Sequence, residues 1–151
     1  MTNDGLDDAT VATVLRRTRR VALVGASANP ARAAHGVQAL LQRRGYDVTP
    51  VNPGLAGQRL HGRLVVAALD EAAPLDMVDV FRASDQVPKV VDDAIRLGAR
   101  TIWMQLGVIN EPAAARARAA GITVVMDRCP AIELRRLGIE PGPVAQTNRS
   151  T

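Results

Sequence analysis

The run Arg19-Arg20-Val21-Ala22-Leu23-Val24-Gly25-Ala26-Ser27-Ala28-Asn29-Pro30 decides how this chain folds. Val21 to Val24 reads as a short buried strand that breaks into a loop of small residues, and a helix follows from about Ala34. A junction of this kind aims several backbone N–H groups and the positive end of a helix dipole at one point. That point is a seat for phosphate.

The same alternation continues on either side. Leu6 to Arg17 forms a lead-in helix with Leu6, Val11, Val14 and Leu15 on its apolar face, and the run Arg16-Arg17-Thr18-Arg19-Arg20 ends it, where cations suit the dipole. After the phosphate loop, Val37, Leu40 and Leu41 keep a helical spacing until Gly45, a left-handed cap. Asp47 to Val51 is the second strand, broken by Asn52-Pro53-Gly54. Leu64 to Ala67 predicts a short edge strand, and Leu69 to Ala72 a turn of helix. Met77 to Phe81 is the next strand. Ser84 then reads as a helix cap, with Pro88 tolerated in the first turn. Val87, Val90, Val91, Ala94 and Ile95 face inward before Gly98. Thr101 to Gln105 is a strand, Asn110 caps the helix Glu111 to Ala120, Ile122 to Met126 is the last strand, and Ala131 to Arg136 a short helix.

Strands without clean alternation, each followed by a helix, predict a parallel sheet covered on both faces. The fold class is α/β: a Rossmann-like, doubly wound sheet of about five to six strands in three layers. The strand order expected is 3-2-1-4-5-6. Residues 1–137 make one domain, and the Pro- and Gly-rich residues 138–151 read as a loose tail. In this topology ligands lie at the carboxyl ends of the strands, beside strand one, where the order reverses.

Composition narrows the ligand. At 151 residues, 47% apolar and 23% charged, the chain has the make-up of a soluble globular domain. Aromatics are 2%, which removes the stacking platform of single-strand nucleic-acid binders. The net charge of +4 is carried by dispersed arginines, with Lys89 the one lysine, and favours a small polyanion over a nucleic acid. A lone cysteine rules out an internal disulfide, no apolar run spans a bilayer, and the polar start is no signal peptide, so a cytoplasmic protein is expected. Two histidines and one cysteine have no metal-ligand spacing. His35 could touch phosphate but has no orienting acid for base catalysis.

NAD is a poor fit. The dinucleotide fingerprint wants G-x-G-x-x-G and an acid ending strand two. Here the loop is Gly25-x-Ser27-x-Asn29-Pro30, and strand two ends in Asn52. No P-loop follows any strand.

Five stretches occur in series: Val24-Gly25-Ala26-Ser27-x-Asn29-Pro30-x-Arg32, Pro50-Val51-Asn52-Pro53, Val78-Asp79-Val80-Phe81-Arg82-x-Ser84, Trp103-Met104-Gln105-Leu106-Gly107-Val108 and Met126-Asp127-Arg128-Cys129. Together they resemble the small stand-alone CoA-binding proteins, which are similar to the N-terminal CoA-binding domain of succinyl-CoA synthetase alpha subunits and ADP-forming acyl-CoA synthetases. The resemblance covers about residues 10 to 137 and implies coenzyme A or an acyl-CoA as ligand. It places the phosphates on Gly25, Ala26, Ser27, Asn29 and Arg32, with His35 and Gly36 in the helix behind. Asn52 and Pro53 would lie by the adenosine. Phe81, Arg82, Ser84 and Val87 would line the groove, and Gln105, Gly107 and Val108 the pantetheine side. Where such families carry a lysine after the strand-two proline, this chain has Gly54 and Leu55, and Arg59 is the candidate substitute beside the 3′-phosphate. Cys129, with Arg128 beside it to lower its pKa, could form a mixed disulfide with the CoA thiol. The resemblance implies a binding module without the ligase domains, with no catalysis of its own, serving a protein partner or forming a homo-oligomer. The rival readings are an NAD(P)-dependent oxidoreductase and a nucleotide-sensing or nucleic-acid adaptor.

Overall fold

Caps and turns set the elements of the chain. The computed structural model describes residues 4–140. Its elements in chain order are α1 (Asp8–Arg17), β1 (Arg20–Val24), α2 (Ala33–Arg43), β2 (Asp47–Val51), β3 (Arg59–Leu60), β4 (Arg63–Leu64), β5 (Met77–Val80), α3 (Val87–Arg96), β6 (Thr101–Met104), α4 (Glu111–Ala119), β7 (Thr123–Met126) and α5 (Pro130–Arg136). Single 3₁₀ turns fill Pro53–Leu55, Leu69–Ala72 and Ser84–Gln86. The Asp7 carboxylate accepts from the Thr10 N–H at 2.8 Å to open α1, and the Asn110 side chain accepts from Ala113 at 3.0 Å to open α4.

Five strands form one parallel sheet in the order β2-β1-β5-β6-β7, with Val24 opposite Val51 on one side and Val80 on the other. The chain is thus Rossmann-like, α/β and three-layered. Burial follows the alternation along each strand. Val21, Leu23, Met77, Trp103 and Val125 pack under α1, α2 and α5. Ala22, Val24, Val78, Val80, Ile102, Met104, Val124 and Met126 face α3 and α4. Trp103 is fully buried, and its indole N–H donates to the Arg128 carbonyl at 2.8 Å.

The expected outer strand is the point of correction. Leu64 to Ala67 does not lie as a third strand beside β2; Arg63 and Leu64 turn back into a small antiparallel hairpin with Arg59 and Leu60. Only Val66 keeps the parallel bridge, accepting from the Asn52 N–H at 2.9 Å and donating to the Pro50 carbonyl at 3.0 Å. In a parallel ladder the residue at position 50 would also donate to the Leu64 carbonyl. Proline has no N–H, so the ladder stops there. The expected order therefore survives as a five-strand sheet with its third strand reduced to one residue.

The tail expected over residues 138–151 lies outside the described residues from 141 onward. Before that point, Gly138 takes a positive φ of 64° and Ile139 is buried in the core.

Candidate functional site at the sheet reversal

β1 pairs with β2 on one side and β5 on the other, so the loops after β1 and β5 part above β1. There a cleft of about 420 Å³ opens, lined by Gly25, Ala26, Ser27, Arg32, Ala33, Ala34, Asn52, Phe81 and Arg82. A second cleft of about 690 Å³ adjoins it on the α3 side. Its walls include Val24, Val51, Pro53 and residues 67–70 on one side, and Asp85, Gln86 and the first turns of α3 on the other. Arg82 lines both clefts.

The floor of the first cleft depends on one glycine. Gly25 has φ +95°, and a Cβ there would stand 2.4 Å from the Phe81 carbonyl oxygen. The crossing of the β1 and β5 loops is that tight. The N–H groups of Gly25 and Ala26 do not face a ligand, since both donate to the Val51 carbonyl, at 3.0 and 3.3 Å. The free donors come next. Ser27 Oγ accepts from the Asn29 N–H at 3.0 Å, and Asn29 Oδ1 from Ala31 at 2.9 Å. This folds the loop so that the backbone N–H groups of Ser27 and Ala28, unpaired among the described residues, stay open. α2 starts behind them with no side-chain cap and no acid in its first turn, so the Ala33 and Ala34 N–H groups, unpaired among the described residues, stay open too. Arg32 and Arg82 have no acidic partner among the described residues.

Asn52 is a brace between loops. Its Nδ2 donates to the Ala26 carbonyl at 2.8 Å and its Oδ1 accepts from the Gly54 N–H at 2.9 Å. Ser84 is not the cap of α3, which the sequence predicts. Its hydroxyl accepts from the Ile109 N–H at 3.0 Å and donates to the Gly107 carbonyl at 3.4 Å, tying the β5 loop to the β6 loop. The Asn110 amide strengthens that tie by donating to the Ser84 carbonyl at 2.9 Å.

The other expected residues sit further off. His35 packs its ring against His61, centroids 4.3 Å apart, and lines neither cleft; Gly36 is on the exposed face of α2. Val87, the first residue of α3, is fully buried on its inner face, and Val108 is buried in the same cluster. Gln105 is buried with its Oε1 unpartnered, while the Gly107 N–H donates to Asp127 at 2.8 Å. Arg59 donates to the Gly62 carbonyl at 3.1 Å in its own hairpin and also lines neither cleft. Cys129 is 7% exposed and packs in the core. Arg128 does not serve as the cation expected to activate it: the guanidinium is held by Asp4 at 2.8 and 2.9 Å, by Glu133 at 2.7 Å and by the Leu6 carbonyl at 3.0 Å.

What sequence reading missed is the second cleft. Pro53 and Arg82, both expected at the site, line it, but its α3 wall comes from residues that only tertiary packing brings beside Pro53. Also missed was Asp79, wholly buried on β5 with both carboxylate oxygens unpartnered; burial pushes its pKa well above the carboxylate range. Another hollow, of about 410 Å³, opens at the amino edge between Arg16, Arg19, Arg44 and Tyr46, away from the carboxyl ends of the strands. Among the described residues there is no cluster of three or more metal-ligating side chains, and no helix is long and apolar enough to cross a membrane.

Known proteins share this architecture. An uncharacterized protein of Bacillus subtilis, YneT, is 38% identical over 122 residues, covering 80% of this chain and 89% of its own. A hypothetical protein from Pyrococcus horikoshii superposes with a TM-score of 0.85 at 36% identity, over 91% of this chain and 96% of that one. A dinucleotide-forming acetyl-coenzyme A synthetase from Ca. Korarchaeum cryptofilum matches with a TM-score of 0.66 at 24% identity, over 86% of this chain and 30% of that one, which is a likeness of fold. The family model described as a CoA binding domain matches residues 19–135, and this chain belongs to that family.

Proposed function

We propose that the chain binds coenzyme A, or an acyl-CoA, at the sheet reversal and has no catalysis of its own. One observation carries this reading: the open backbone donor of Ser27, the unpaired N–H groups of Ala33 and Ala34 at the start of α2, and the acid-free guanidinium groups of Arg32 and Arg82 border one cleft. That is a donor set for a diphosphate. Gly25 and Ala26 serve it by shape, since their own N–H groups are spent on Val51. The adenosine would rest by Pro53, in the adjoining cleft floored by Val24, Val51 and Leu69. The pantetheine arm would leave over the joined β5 and β6 loops, toward Gly107. Leu106, next to Gly107 in the chain, is an exposed apolar side chain that suits an acyl chain or a protein partner. Such a carrier or sensor would work in the cytoplasm.

Melting the protein with CoA, acetyl-CoA, NAD and ATP in turn tests the reading. At a hundred times its dissociation constant a ligand adds about 2.7 kcal/mol to stability. CoA or acetyl-CoA should raise Tm by several degrees while NAD leaves it unmoved. An equal or larger shift with NAD supports the oxidoreductase instead. Arg32→Ala should weaken CoA binding roughly tenfold without lowering the Tm of the free protein, as expected for a lost charge-assisted contact at an exposed site.

A further inference from the structure

The proposed seat for CoA leaves one charge without a partner: the ribose 3′-phosphate, near Pro53, a dianion that dephospho-CoA lacks. Arg59, the nearest cation along the chain, is turned into its hairpin and borders neither cleft. The cations of the second cleft are Arg82, Lys89 and Arg96, set against Asp70, Asp85 and Asp93. Arg96 is committed, with both terminal nitrogens 2.8 Å from Asp70 and one 3.2 Å from Asp93. Lys89 meets only Asp93, at 3.6 Å, a carboxylate that Arg96 already holds. Its side chain is 84% exposed, so its four-carbon stem can swing the ammonium into the cleft. Arg82 lines both clefts and would face the diphosphate on the other side.

We infer that Lys89, on the first turn of α3, is the residue that reads the ribose phosphate and separates CoA from dephospho-CoA. This inference rests on the CoA reading given above. The position is supplied by a helix across the groove rather than by the loop after β2. Asp93 is the one ion-pair partner of Lys89 among the described residues, and the side chain is exposed, so it can be changed without opening the core.

Calorimetric titration of wild type, Lys89→Gln and Arg59→Gln with CoA and with dephospho-CoA provides the test. Glutamine keeps the helix propensity and most of the stem. Lys89→Gln should weaken CoA about tenfold or more, the effect of one charge-assisted hydrogen bond, and leave dephospho-CoA within twofold. Arg59→Gln should change neither. If wild type binds both ligands equally, if Lys89→Gln weakens both alike or neither, or if the CoA-selective loss appears in Arg59→Gln, the assignment of Lys89 is overturned while CoA binding stands. A wild-type protein that binds neither ligand overturns the CoA reading itself, and Lys89 with it.

Discussion

Gly25 and Asp79 show how much two side chains, one missing and one misplaced by ordinary rules, control at this sheet edge. Gly25 combines a left-handed backbone with a contact that leaves no room for a Cβ beside the Phe81 carbonyl. Gly25→Ala should therefore cost about 2 kcal/mol or more, from the φ strain and the forced parting of two loops. Urea unfolding reads the cost, and CoA titration of the folded fraction should show weaker binding because the cleft floor moves with those loops. Asp79 tests a different balance. Its carboxyl is wholly buried on β5, beside Leu23 and Trp103 in the register, and burial, which penalises the charged form, pushes its pKa well above the carboxylate range. A group with a raised folded pKa contributes its full stability below the unfolded value, about 4, and loses it as the pH rises toward the folded value. The wild type should lose up to about 1.4 kcal/mol per pH unit in that window. Asp79→Asn should flatten the slope, and equal slopes in urea melts at pH 5, 7 and 9 would refute the raised pKa.

At the scale of elements, the sequence was legible wherever a local rule had no competitor. Asp47 to Val51 has the bounds expected of it, Asn110 begins α4 and Gly45 ends α2, as small capping residues do. Legibility failed where pairing decided the outcome. Leu64 to Ala67 has the apolar look of an edge strand, but whether it pairs depends on the donor its neighbour offers at position 50. Ser84 has the chemistry of a cap, yet the β6 loop claims its hydroxyl first. Arg128 looked available beside Cys129 because the sequence cannot show that Asp4, far away along the chain, reaches it. That ion cluster also pins the N-terminal segment to β7 and α5. Burial alone would raise the Asp4 and Glu133 carboxyls, but hydrogen bonds from Arg128, with Arg136 on Glu133 and backbone N–H groups on Asp4, outweigh it and hold both below the usual range. Depressed folded values mean stability that is full above the unfolded pKa, about 4, and lost as the pH falls through the folded values. Arg128→Ala removes the guanidinium that the buried Asp4 and Glu133 carboxylates share and should cost about 3–5 kcal/mol at pH 7. Because the carboxylates can then take up protons more readily, the variant's deficit against wild type should shrink below pH 4, and a deficit that grows on acidification would refute this account.

For the molecule as a whole, the question is where its net charge of +4 acts. Several exposed acids are spent on arginines: Asp47 on Arg63, Asp70 on Arg96, Asp92 on Arg116, Asp8 on Arg136. These exposed pairs contribute little to stability, but they remove charge from the flanks of the fold. Among the arginines with no acidic partner in the described residues, Arg32 and Arg82 line the cleft at the carboxyl edge and Arg16, Arg19 and Arg44 the hollow at the amino edge. Neither edge carries an exposed aromatic on which bases could stack; Trp103 and Tyr46 are buried and Phe81 packs against the core. The charge at the carboxyl edge, beside the open backbone donors of the β1 loop, is then a funnel for a small polyanion. CoA affinity should therefore fall only modestly between 50 and 200 mM salt, since few ions are released. A fluorescently labelled 20-base-pair duplex should bind weakly at 50 mM salt and be lost at 200 mM, without competing for CoA. Fluorescence anisotropy measures both. Submicromolar duplex binding at 200 mM salt that survives Arg32→Ala and disappears on changing Arg16 and Arg19 would make the amino edge the working surface, and the protein a nucleic-acid adaptor.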